Sequence, residues 1–167
     1  MPQDHAEAAR WYRKAADQKD AGAQFNLGCM YAEGQGLPQD HAEAARWYRK
    51  AADQGDANAQ FNLGCMYARG ESVPQDYAEA ARWYRKAADQ EHTGAQFVLG
   101  HMYREGDGVP QDYVQAHMWT NLAASRASGD ALVQYAHERD LLAGKMTAHQ
   151  IAEAQRLARE WKPKMSR

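Results

Sequence analysis

The chain has 167 residues, 20 of them basic and 22 acidic, and a net charge of −2 at pH 7. That balance excludes a general electrostatic pull toward nucleic acid or anionic membrane. No apolar run approaches the ~20 residues that span a bilayer. Met1 to His5 lack the basic-then-apolar layout of a secretory signal, so this chain shows neither signal peptide nor transmembrane segment, and its compartment stays open.

Alanine dominates the apolar fraction of 44%. It is the best helix former, which points to an all-α chain. The tripeptide Pro-Gln-Asp begins at positions 2, 38, 74 and 110, a period of 36 residues. Residues 2–37 and 38–73 differ only at 19, 22, 33, 35, 36 and 37, leaving 30 of 36 positions identical. Self-similarity at this period marks a solenoid or a propeller, and the content of one period decides between them.

The first predicted helix covers 4–18. Asp4 stands as its cap with Glu7 three residues on, a spacing repeated at Asp40/Glu43, Asp76/Glu79 and Asp112/Gln115. Ala8, Trp11, Tyr12 and Ala15 share one face of that helix. Trp11 and its copies Trp47, Trp83 and Trp119 therefore read as core. Glu7, Arg10, Arg13, Lys14 and Asp17 form the other face, which reads as a solvated stripe.

The next helix opens near Asp20, sets Ala23, Leu27 and Tyr31 four residues apart, and stops at Gly34 and Gly36 before Pro38. Strand alternation is absent, so the unit is a helical hairpin. The later helices follow in the same order. Two departures are local: Ser72 replaces a turn glycine, and His92 replaces an acidic cap. After residue 130 the pattern degenerates. Tyr135, Ala136 and Arg139 replace the expected residues, and Thr147 with Gln150 caps a last helix bearing Ile151, Ala154, Leu157, Ala158 and Trp161.

Ala23, Leu27, Gly28 and Tyr31, the turn Gly34, Gly36, Pro38 and Asp40, and then Ala44, Trp47, Ala51 and Ala52 resemble the Sel-1-like repeat, a branch of the tetratricopeptide superfamily. The resemblance covers nearly the whole chain. It implies a right-handed α-solenoid of two-helix, 36-residue repeats in a single repeat domain, 1–167. In the family's register 4–18 is an unpaired second-type helix, followed by pairs at about 20–54, 56–90 and 92–127 and a capping pair at 130–161. The N-terminus reads as cut, with an open stacking edge at Tyr12 and Ala16 through which self-association is expected.

Catalytic signatures fail one by one. Serines 72, 125, 128 and 166 lie in no nucleophile elbow. His137-Glu138 begins a zincin-like string, but Leu141 stands where the second histidine belongs. An enzyme is not expected, and no cofactor is implied.

The resemblance also implies that the first-type helices line a concave groove. With Leu27 inward, Asn26, Cys29 and Glu33 fall on the opposite arc. Successive repeats then present Asn26, Asn62, Val98 and Gln134 at one level, Cys29, Cys65, His101 and His137 at the next, and Glu33, Arg69, Glu105 and Leu141 at a third. Phe25, Phe61, Phe97 and Val133 flank them. Neighbouring helices stand ~8–10 Å apart, so the Cys/His level cannot converge on one zinc, and no metal site is expected. Cys29 and Cys65 are likewise expected to stay unbridged. Amides that pair with an extended backbone, beside aromatic pockets, suit the capture of a protein or peptide segment. Asn26, Asn62, Cys65, Arg69, His101, Phe61 and Phe97 are the candidate contacts. The rival readings are a structural spacer in a longer array and a non-catalytic part of a larger enzyme.

Overall fold

The structure, a computed structural model, describes residues 2–164. Among these residues it is all-helical: α1 (Pro2–Asp17), α2 (Ala21–Glu33), α3 (His41–Asp53), α4 (Ala57–Arg69), α5 (Tyr77–Asp89), α6 (Thr93–Glu105), α7 (Tyr113–Arg126), α8 (Gly129–Ala143) and α9 (Ala148–Glu160). Packing groups the helices into two units, α1–α4 up to Asp76 and α5–α9 from Tyr77.

Capping chemistry sets most helix starts. Asp20 and Asp56 accept from the amides of Ala23 and Ala59, and Asp40 and Asp112 each accept from two amides of the following turn. His92 caps α6 through Nδ1, which accepts from Ala95 N at 3.0 Å, so the imidazole does the acid's work. At Thr147 the reciprocal box with Gln150 is complete. The expected cap at Asp4 is corrected: α1 begins at Pro2. Asp40 is held extended because its own N–H donates to Tyr31 O at 2.9 Å, and among the described residues no equivalent tie holds Asp4 outside the helix.

Within the first unit α1 packs on α2, α2 on α3 and α3 on α4. Ala16, Ala23, Leu27 and Trp47 form one buried cluster, with Ala15, Tyr31 and Leu37 around it. Gly28 lets the Tyr48 ring lie on the α2 backbone, since a Cβ there would stand 2.7 Å from that ring. A buried glutamine staples the helices. Gln24 Nε2 donates to Ala16 O at 3.1 Å, and Gln54 in turn donates to Gln24 Oε1 at 2.7 Å. Gln60 repeats the first bond with Ala52 O.

In the second unit α5, α6, α7 and α8 pack in sequence, and α9 packs on α7. Gln96 donates to Ala88 O, but its own Oε1 is buried without a partner. The glutamine position of the staple holds Arg126 in this repeat. That guanidinium turns instead to Glu91 at 2.8 Å and to the Trp161 ring, 5.2 Å from its centroid.

Two expectations about the first helix need correction. Trp47, Trp83 and Trp119 are core, but Trp11 is 62% exposed. Trp47 is buried because α1 and α2 lie against it, and no described helix does that for Trp11. Ala16, expected on an open edge, is 2% exposed because α2 and α3 cover it. The uncovered edge of α1 is Trp11 and Tyr12.

Candidate functional site

The site grows from the way α3 lies between α2 and α4. Tyr48, on α3, is placed by its contact with Gly28 and by Phe25, whose ring centroid is 5.9 Å away. Its hydroxyl donates to Cys29 Sγ at 3.4 Å, and the polar Asn62 side chain on α4 faces it closely enough to oppose the rise of its pKa. One buried phenol thus bonds to α2 and faces α4. Burial, then the bond to Cys29, pushes the Tyr48 hydroxyl well above the usual tyrosine range. Burial also raises the Cys29 thiol, with Glu33 and Asp56 adding to the rise and the Tyr48 bond opposing it. Cys29 is therefore a poor nucleophile.

Asn62 points from this network into a concavity of about 290 Å³. Tyr48, Phe61 and Met66 supply its apolar wall, and Asn62, Cys65, Arg69, His41 and Glu71 supply polar groups around it. Arg69 lies 3.5 Å from Glu71, and both side chains are open to solvent, so this pair holds the guanidinium only loosely. The arrangement offers an apolar recess, an amide and an exposed cation within reach of one another.

Of the sequence candidates, Phe61, Asn62, Cys65 and Arg69 line this concavity together. Asn26 is half-buried on α2 and does not line it. In the second unit His101 is exposed on α6, while Phe97 stacks on Tyr135 of α8 with centroids 4.2 Å apart. Beside that stack Arg104 of α6 pairs with Glu138 of α8. Sequence reading missed Tyr48 and His41, because they sit on a second-type helix and reach the recess across the interface. The only signal was the Tyr that follows Trp11, Trp47 and Trp83, a position that holds Thr120 after Trp119. Cys29 and Cys65 are both free thiols, and no group of three or more His, Cys, Asp or Glu able to hold a metal occurs among the described residues.

The repeat register defines the class of protein. The family described as Sel1 repeat matches at residues 1–20, 21–56, 57–92 and 93–128, and the chain belongs to that family. Its first segment is the second-type helix alone, and the degenerate end beyond 128 is unmatched. The fold is the all-α solenoid of two-helix repeats. A protective antigen of uropathogenic Escherichia coli strains displaying an SLR fold is similar at 40% identity and a TM-score of 0.82, over 92% of this chain. This chain spans only 32% of that longer protein. A Sel1 repeat protein from Oxalobacter formigenes is similar at 39% identity and a TM-score of 0.69, over 75% of this chain and 95% of that one. Cysteine rich protein B of Helicobacter pylori shares the fold at 23% identity and a TM-score of 0.63, over 80% of this chain and 96% of that one. No curated protein matches the chain. Sel1 repeats generally serve as scaffolds for protein–protein interaction and are typically non-catalytic.

Proposed function

We propose that this chain is an interaction adaptor that holds a protein or peptide segment along its first-type helices, with the recess beside Asn62 as the principal contact. The observation that carries the reading is the concavity of about 290 Å³ where Phe61, Asn62, Cys65 and Arg69 meet Tyr48 and Met66. An extended segment places an apolar side chain against Tyr48, Phe61 and Met66. The Asn62 amide, which lines the recess, pairs with the backbone of the segment. Asn26 extends the contact on α2 of the same unit, and Phe97 and His101 are the corresponding candidates on α6 of the second unit.

The test compares proteins captured by the immobilised wild-type chain with those captured by a Phe61→Ala/Asn62→Ala variant and by an Arg10→Ala variant. The partner should be lost from the first variant and kept by the second. For that partner, Asn62→Ala alone should weaken binding by ~1–3 kcal/mol, the cost of an unmade buried hydrogen bond. A partner held equally by all three proteins places the contact elsewhere and leaves the helices as a spacer.

A further inference from the structure

The same amino-acid sequence occurs here twice in two environments. Residues 2–18 and 38–54 are identical, yet Trp11 is 62% exposed and Trp47 is 5% exposed. What covers Trp47 is known in detail. Ala16, Ala23 and Leu27 pack on the indole, Tyr31 lies beside them, and the Arg13 guanidinium stands 5.9 Å from the ring centroid while donating to the Tyr31 hydroxyl. The Trp11 face of α1 is a chemical copy of a surface whose occupant is visible 36 residues further on.

That face carries charge as well as the exposed indole. Around Trp11 lie Ala6, Glu7, Arg10, Lys14 and Asp17. Lys14 caps the ring at 4.9 Å, whereas Lys50 lies 3.8 Å from the equivalent ring of Trp47. A second copy of α1 is a poor occupant. Paired antiparallel about Tyr12 it would set Glu7 against Asp17 and Arg10 against Lys14. Paired parallel in register, each charge would meet its own copy. Both arrangements oppose like charges.

We infer that the Trp11 face of α1 is an interaction surface for a helix hairpin of this same repeat, one presenting an alanine–leucine–tyrosine face like that of Ala16, Ala23, Leu27 and Tyr31. This contact is independent of the recess beside Asn62. It repeats the α1–α2 to α3 interface, and stacked repeats bury their apolar faces only against such neighbours.

The experiment places a second copy of residues 2–37, carrying Trp11→Phe, ahead of residue 2 of the full chain, which supplies the hairpin at high effective concentration. The readout is the fraction of tryptophan fluorescence quenched by iodide. In the wild-type chain that fraction should exceed that of the Trp11→Phe variant, and in the extended chain it should fall to the variant's level. Denaturation gives a second reading. Trp11→Ala should leave the urea midpoint of the wild-type chain unchanged, and the same change at the original Trp11 should lower the midpoint of the extended chain. An extended chain whose original Trp11 stays open to iodide and whose midpoint ignores the substitution overturns the inference. So does a wild-type chain that sediments as a dimer with Trp11 shielded, which would make a second copy the occupant.

Discussion

His117 occupies the place that Ala45 and Ala81 hold in the earlier repeats. It is 3% exposed on α7, and its Nδ1 has no hydrogen-bond partner. Burial holds its pKa below the ordinary histidine value of 6.5, the Arg139 charge adds to the depression, and Asp140 opposes it. A depressed base is neutral in the folded chain at a pH where the unfolded chain already binds a proton. Folding stability contributed by this site is therefore complete above about 6.5 and falls as pH drops from there through the folded-state pKa. We expect the urea midpoint to decline over that window, and His117→Ala, which restores the residue of the other repeats, to flatten the decline. A variant whose midpoint tracks wild type across the same pH range would assign the acid sensitivity to other groups.

At the scale of the element, the turns between hairpins show how one residue governs a close approach. Gly36 and Gly108 have positive φ and run so near the first turns of α1 and α5 that an added Cβ would fall on the peptides His5–Ala6 and Tyr77–Ala78. The equivalent residue in the middle turn is Ser72, with φ 58. A left-handed non-glycine residue costs ~1–3 kcal/mol, and the extra chain entropy of glycine takes back ~0.5–1 kcal/mol. Ser72→Gly should stabilise the chain by about 1 kcal/mol, read as a higher urea midpoint with an unchanged slope. A lower midpoint would mean that the turn has already relaxed around the serine.

Much of this layer was legible in the sequence, and for local reasons. Caps at Asp20, Asp40, Asp56 and Asp112, and stops at Gly34, Gly70 and Gly106, follow from short-range rules that tertiary context left alone. Asp4 differs because a cap geometry like that of Asp40 is held by a tertiary bond, here to Tyr31 O, which a local sequence rule does not contain. Trp11 failed for a related reason, since helical periodicity says which face is apolar and not whether a neighbour covers it. In the recess, the register of Phe61, Asn62, Cys65 and Arg69 followed from one helix face. Tyr48 did not, because its position is set by Gly28 on another helix. The glutamine staples were hidden in the same way: Gln24, Gln60 and Gln96 are polar residues within an apolar helix, and only the packed carbonyls of Ala16, Ala52 and Ala88 explain them.

Taken as a whole molecule, a repeat array is held by nearest-neighbour interfaces and needs a distinct terminal cap. In the second unit the last described helices do not repeat the regular hairpin packing. α9 lies on α7, and Trp161 meets Trp119 edge to face, with centroids 6.0 Å apart, beneath the Arg126 guanidinium. The following residues cross to the end of α5, where Lys164 N donates to Asp89 O at 2.8 Å and its ammonium pairs with the Asp89 carboxylate at 3.1 Å. These two anchors differ in kind. Trp161 shields the largest fully buried side chain of the described core, Trp119. The Lys164 side chain is 77% exposed, and such a pair adds little to stability. Trp161→Ala should therefore cost about 2 kcal/mol, less than a fully buried aromatic because the indole is only half-buried, and should speed amide exchange in α7. Lys164→Ala should move the urea midpoint hardly at all, since its backbone bond to Asp89 survives. If the two variants unfold at the same urea concentration, the indole is not what holds α9 on α7, and that packing must rest on other contacts of the two helices instead.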